Sequence, residues 1–209
     1  MFFYLSQNRN CYEKLVTEIR TNFKCPSEIQ TGPQLAQCSY LRACINEAMR
    51  MSPPISSTLW REVCKGGIVV DNRYIPEGVD IGVSPYALHH NENIFPESYK
   101  FKPERWIKSE DNSSETFNKA WDAFSPFSLG TRACAGRTMA YTEISDAIAR
   151  TIWSLDMKRA EGGLGKIGGG IEGAPEGYDR EAEFQLEDHI TCCHSGPYLQ
   201  FRVRKDLID

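Results

Sequence analysis

No apolar run in this sequence approaches the roughly 20 residues that a membrane-spanning helix requires. The opening run, Met1 to Leu5, has neither a basic flank nor a small-residue cleavage site. The sequence therefore predicts neither an anchor nor a secretion signal. Basic charge is not in excess: 24 Lys and Arg stand against 28 Asp and Glu, a net charge of −4. With no basic stripe to follow a phosphate backbone, nucleic-acid binding is not expected. Blocks of like charge and internal repeats are missing too. The eight cysteines, at 11, 25, 38, 44, 64, 134, 192 and 193, keep no regular spacing. A chain of 209 residues can bury about 70% of its unfolded surface without staples, so they are read as reduced thiols.

What is present is an α+β pattern, mainly helical. After Asn8, the residues Tyr12, Leu15, Val16 and Ile19 recur at i, i+3, i+4 and i+7, predicting an amphipathic helix that Asn22 and Pro26 end. A Gly32-Pro33 start leads to Leu41, Cys44, Ile45 and Ala48 at the same spacing, closing before Pro53-Pro54, with Glu47 and Arg50 on one face. From Ser57 to Val83, short β-branched runs broken by Asp71-Asn72 and Pro76-Glu77-Gly78 predict a small antiparallel sheet of hairpins. A short helix is expected over Pro85 to His90 and a proline-punctuated loop over Phe95 to Trp106. A longer helix runs from Gly136 to about Trp153, and a last strand spans Tyr198 to Val203. Eight of the sixteen glycines fall between Gly162 and Gly177, so residues 161–178 are expected to form a surface loop or disordered insertion without helix or strand.

The stretch from Phe127 to Arg137 is the richest in chemistry. Cys134 stands just before the long helix, where unpaired amides and the positive end of the helix dipole favour a thiolate. Gly130 permits a sharp turn, and Gly136 permits close approach of a flat ligand. Arg132 could meet an acidic group on that ligand. A lone cysteine in a loop is most often a buried free thiol. Here Phe127, Gly130, Arg132, Cys134 and Gly136 together satisfy Phe-x-x-Gly-x-Arg-x-Cys-x-Gly. This pattern resembles the haem-binding signature of the cytochrome P-450 family. Glu47-Ala48-Met49-Arg50 is similar to the family's Glu-x-x-Arg helix. Phe101-Lys102-Pro103-Glu104-Arg105-Trp106 resembles its Pro-Glu-Arg-Phe element, with Trp106 in place of Phe. By themselves Glu47 and Arg50 would be read as a solvated helical pair. The order of the segments along the chain supports the resemblance.

The resemblance implies the C-terminal part of the cytochrome P-450 fold, with Cys134 as the proximal ligand of the iron of haem (iron protoporphyrin). It implies that Glu47, Arg50 and Arg105 form a buried salt-bridge triad that locks the Cys134 loop and serves as scaffold rather than catalyst. Arg61 lies where the family often places a partner for a haem propionate; the bland alternative is a surface arginine on a strand. The implied activity is monooxygenation of a small apolar substrate, with electrons from an NADPH-dependent reductase. Details around Trp106 and Cys134 resemble fungal microsomal members of secondary metabolism.

The family's distal oxygen-binding helix, with its Ala/Gly-Gly-x-Asp/Glu-Thr motif, is not found, and Met1 to Ser6 looks like the tail of that helix. Residues 1–209 are thus expected to be a partial haem-thiolate domain, a truncated product or a mis-started reading frame. No residue is assigned a catalytic role. The alternatives are a catalytically inactive haem-binding chain and a remnant that binds no cofactor. Full-length relatives are expected at the endoplasmic reticulum membrane, whereas this anchorless chain is expected in the cytoplasm.

Two other patterns carry less. His189 to His194 contains adjacent cysteines that point to opposite faces of an extended chain, which makes a zinc tetrahedron hard to build. In the family this region is a hairpin reaching the substrate cavity. Gly163 to Gly168 satisfies Gly-x-Gly-x-x-Gly, but Gly169-Gly170 and Pro175 follow where a helix is needed.

Overall fold

A computed structural model describes residues 1–110 and 112–204. The chain begins with α1 (Phe2–Gln7) and α2 (Arg9–Asn22), separated at Asn8, where φ −114° and ψ 77° leave the helical path. Tyr12, Leu15 and Ile19 are buried along α2, as the spacing predicts; Cys11 joins them, and Val16, the other expected position, is half-buried.

The Gly32-Pro33 start belongs to a separate short helix, α3 (Pro33–Ala36), rather than to the helix bearing Glu47. Proline suits a first helical turn, but Cys38 turns to φ −69° and ψ 84°, and a new helix, α4 (Ser39–Met51), begins after it. No side chain of its own caps α4. Glu18 on α2 does so instead: its two carboxylate oxygens accept the Tyr40 and Leu41 amides, each at 2.8 Å. An anion at a helix N-terminus satisfies orphan donors and opposes the dipole. From Ala43 to Met51 every residue of α4 is buried, so it is the central helix of the fold.

The sheet region folds as two nested antiparallel ladders. Strand β1 (Arg61–Glu62) pairs with residues 80–81, and β2 (Ile68–Val70) pairs with β3 (Arg73–Ile75). Asp71 and Asn72 take φ 47° and 60°, the left-handed pair that a two-residue hairpin turn demands. β4 (Asp80–Ile81) leads into α5 (Pro85–His89), capped by Ser84 Oγ on the Ala87 amide.

A 3-10 turn occupies Pro103–Trp106. The helix α6 (Ser114–Ala123) follows; the sequence patterning did not predict it. Its start is set by Ser113, whose Oγ accepts the Thr116 amide at 3.2 Å. The long helix α7 (Arg137–Ser154) runs directly into β5 (Leu155–Arg159), a second element not predicted. Arg20 of α2 closes the α7 C-terminus, donating to the Ile152 and Leu155 carbonyls at 3.1 Å each and to Asp156 Oδ1 at 2.8 Å. The last described elements are the hairpin β6 (Glu187–His189) and β7 (Thr191–Cys193), then β8 (Leu199–Val203), which pairs with β5 from Leu155↔Val203 to Arg159↔Leu199.

The glycine-rich stretch, expected to hold no helix, contains a 3-10 turn over Gly162–Lys166. It is also packed: Gly165, Gly168 and Gly170 are buried. A Cβ on Gly169 would lie 2.3 Å from the Glu181 carbonyl oxygen, so glycine there permits two chain segments to touch. Beyond it, buried Glu183 accepts from the Tyr86 hydroxyl and, at 3.2 Å, from Arg180 Nη1.

The core lies between α1, α2, α4 and α7 and includes Tyr4, Leu15, Ile19, Ile45, Ile148 and Ile152. Among the described residues, no helix is long and apolar enough to cross a membrane.

Candidate functional site

The site is built outward from α4. The i, i+3 spacing of Glu47 and Arg50 places both on one helix face. Arg50 Nε donates to Glu47 Oε2 at 2.9 Å and Nη2 to Oε1 at 3.1 Å, with both side chains fully buried. Arg105, from the 3-10 turn, adds its Nε at 3.0 Å to Oε1. The structure thus brings together the three residues of the expected triad. It also adds two donors to the carboxylate: the Lys102 amide at 3.0 Å and the indole Nε1 of Trp106 at 2.9 Å. Burial alone would raise the Glu47 carboxyl, yet the neighbouring Arg50 and Arg105 guanidiniums hold it below the usual carboxylate range. Further guanidinium donors reach main-chain carbonyls. Arg50 reaches His89 O at 2.7 Å and Ser98 O at 2.6 Å, and Arg105 reaches Pro96 O at 3.1 Å.

Two arms join this cluster to the segment leading to Cys134. Trp106, fixed by Glu47, packs against Phe124 with ring centroids 4.5 Å apart. His89, whose carbonyl is held by Arg50, accepts the Ser125 amide on Nε2 at 3.1 Å. Burial, then the Arg50 charge, push the His89 imidazole down to about 4, so the ring is neutral near pH 7. Trp106 was noted in the sequence only as a replacement for Phe. Its signal was the indole N–H, a donor that Phe lacks. His89 carried no pattern by which the sequence could have marked it.

The Cys134 loop turns where residues take left-handed backbone, Ser128 at φ 57° and Gly130 at φ 74°. A 3-10 turn over Gly130–Arg132 follows, and the Cys134 amide donates back to Phe127 O at 2.8 Å. Phe127 packs on Tyr141 of α7 at 5.4 Å, and the Tyr141 hydroxyl donates to Asn46 Oδ1 on α4 at 2.8 Å. Residues 129 to 139 are all exposed. Cys134 is therefore presented to solvent, not buried as an inert core thiol would be. Among the described residues its sulfur has no hydrogen-bond partner. A Cβ on Gly136 would stand 3.8 Å from that sulfur, and one on Gly130 would meet nothing within 4 Å. An exposed thiol in a glycine-bracketed loop fits the donor that a thiolate-ligated haem iron needs.

Arg132 is exposed in the same loop. Arg61 is exposed on β1, and its Nη1 donates to the Trp60 carbonyl at 2.8 Å. Among the described residues no hydrogen bond or ion pair joins Arg61 to the Cys134 loop. Cys192 and Cys193 lie on β7, opposite Asp188 and Glu187. A cavity of about 400 Å³ lies between Phe2, Met49, Pro54, Ile144, Ile148 and the C-terminal segment carrying Phe184 and Cys192.

The cytochrome P450 family profile matches residues 1–163. The chain is 42% identical over 203 residues to cytochrome P450 monooxygenase AKT7 of Alternaria alternata, covering 96% of this chain and 39% of that protein. It is 44% identical over 204 residues to cytochrome P450 monooxygenase apf8 of Gibberella fujikuroi, covering 97% of this chain and 54% of the relative. With cytochrome P450 monooxygenase poxM of Penicillium oxalicum it shares 42% over 200 residues, 96% of this chain and 35% of the relative. The chain spans between about a third and a half of these relatives' length, and the aligned region carries the Cys134 loop and the Glu47 cluster described above. It belongs to the cytochrome P450 family, whose cofactor is haem.

Proposed function

We propose that this chain provides the haem-thiolate side of a monooxygenase, with Cys134 as the iron ligand. The observation that carries this reading is the Cys134 sulfur itself, exposed and without a hydrogen-bond partner among the described residues, on a loop tied to a buried ion cluster. Bound haem would supply the oxygen chemistry, inserting one atom of O2 into a small apolar substrate, with electrons from an NADPH-dependent reductase. The chain's own residues bind and orient. Cys134 donates the thiolate, Phe127 supports the loop from the α7 side, and Gly130 and Gly136 leave room for a flat ring. Arg132 and Arg61 are assigned to its carboxylates. Glu47, Arg50 and Arg105 act as scaffold, fixing the base of the loop through Trp106 and His89. The endoplasmic reticulum membrane is the proposed site of the full-length enzyme, by analogy with microsomal members.

Reconstitution of the chain with haemin, followed by reduction under carbon monoxide, tests the ligand. A strongly red-shifted Soret band is expected, and it should vanish in Cys134→Ala. A band that survives that substitution, or no shift in the parent, overturns the assignment. NADPH-dependent turnover in the presence of a reductase then separates full monooxygenase activity from haem binding alone. The second outcome is the inactive haem-binding reading.

A further inference from the structure

His89 is fully buried and is bonded at both ends. Its main-chain carbonyl accepts Arg50 Nη1 at 2.7 Å, while its ring Nε2 accepts the Ser125 amide at 3.1 Å. From Ser125 the connection continues: Ser125 O accepts the Ser128 amide at 3.0 Å, and Phe127 O accepts the Cys134 amide at 2.8 Å. The ring also lies against Phe124, centroids 5.5 Å apart. The other ring nitrogen, Nδ1, is buried with no hydrogen-bond partner among the described residues. A histidine kept only to fill a core would be expected to satisfy both nitrogens. Here the one bond it makes is to the main chain of the segment that leads to the thiol.

We infer that His89 is a positioning residue for Cys134, the acceptor that fastens the start of the thiol loop to the buried Glu47–Arg50 cluster. The inference rests on the haem-thiolate reading for its consequence, but the fastening belongs to the chain alone. Because Nε2 must accept, the imidazole is held neutral with its proton on Nδ1. An amide side chain can replace that acceptor only if its oxygen reaches the place of Nε2. Glutamine matches that length, and asparagine stops short, near Nδ1.

The test compares His89→Gln, His89→Asn and His89→Phe in the full chain, by amide hydrogen exchange without cofactor and by the reduced carbon-monoxide spectrum after haemin reconstitution. In His89→Asn and His89→Phe, Ser125 exchange should accelerate about tenfold or more while the α4 amides keep their protection. The thiolate share of the carbon-monoxide complex should fall in the same two variants. His89→Gln should stay within about twofold of the parent in Ser125 exchange and keep its band. Parental Ser125 exchange in His89→Asn overturns the inference, as does equal loss of α4 protection in all three variants, which would mark a purely structural role. Should His89→Phe not fold, the Gln and Asn pair decides. A parent that gives no thiolate band defeats the haem reading, and the exchange measurements still judge the fastening.

Discussion

The indole of Trp106 donates to the Glu47 carboxylate at 2.9 Å, where the related Pro-Glu-Arg element ends in a phenylalanine that has no hydrogen to give. Glu47 thus receives five hydrogen bonds, from Arg50 twice, Arg105, Lys102 and Trp106, in a site with no access to water.

Trp106→Phe keeps the ring against Phe124 and removes one charge-assisted bond, while four donors remain on the carboxylate. A loss of about 1.5–3 kcal/mol is expected, since hydrogen bonds to ionised groups fall in that range. Urea unfolding of the parent and the variant measures it. An unchanged midpoint would show that the indole bond contributes nothing to the cluster.

Glu47→Gln should be far more damaging than its small change in shape suggests. It leaves the Arg50 and Arg105 guanidiniums buried beside a neutral group, and stranding a buried charge costs about 3–5 kcal/mol. Arg105→Lys should also destabilise, because an ammonium cannot serve Glu47 and the Pro96 carbonyl with the same planar fork. Both are read from thermal unfolding; a Glu47→Gln protein as stable as the parent would be incompatible with an ionised Glu47.

Two buried histidines set the acid limb of stability. Burial, with the Arg50 charge, lowers His89 to about 4, and burial lowers His90 to about 4 against the opposing Tyr86 carbonyl bond. The unfolded chain takes up these protons near 6.5, earlier than the folded chain does. Stability is therefore full above that value and falls as pH drops from 6.5 towards 4, by about 1.4 kcal/mol per pH unit for each ring. The charged groups facing them are Arg50, Glu47 and, for His90, Arg180. Glu47, with its lowered pKa, adds its own loss only at more acid pH. Denaturant titrations from pH 7 to pH 5 should show the slope, and His90→Phe should roughly halve it. A flat profile over that window would mean that the rings are charged in the folded state.

The long amphipathic helices were legible because their apolar positions repeat with the helix period, as at Leu15 and Ile19 in α2. The hairpin at Asp71-Asn72 was legible because its turn demands residues that tolerate positive φ. The Cys134 motif and the Glu47–Arg50 spacing marked which side chains to watch, by resemblance to a family. Other features depend on partners remote in sequence. The cap of α4 comes from Glu18, twenty-one residues before Ser39. Strand β5 exists because β8 lies beside it, and the acceptor role of His89 appears only when Ser125 is folded against it. The Gly32-Pro33 start misled because a proline marks where some helix begins without saying how soon it stops.

The Glu47 cluster holds one carboxylate and two guanidiniums, and so retains a surplus positive charge inside the protein. That charge is solvated by the chain itself, through the carbonyl oxygens of His89, Pro96 and Ser98. Between residues 89 and 98 the polypeptide acts as the hydration shell of an ion, and its fitness lies in where the main chain points. Exposed side chains that make no bond within the segment are free to vary; Glu92, whose carboxylate accepts the Glu97 and Ser98 amides, is not. Nor is the number of residues: one added or removed would rotate an oxygen away from the guanidinium it solvates, and the segment should drift by substitution while resisting insertion and deletion.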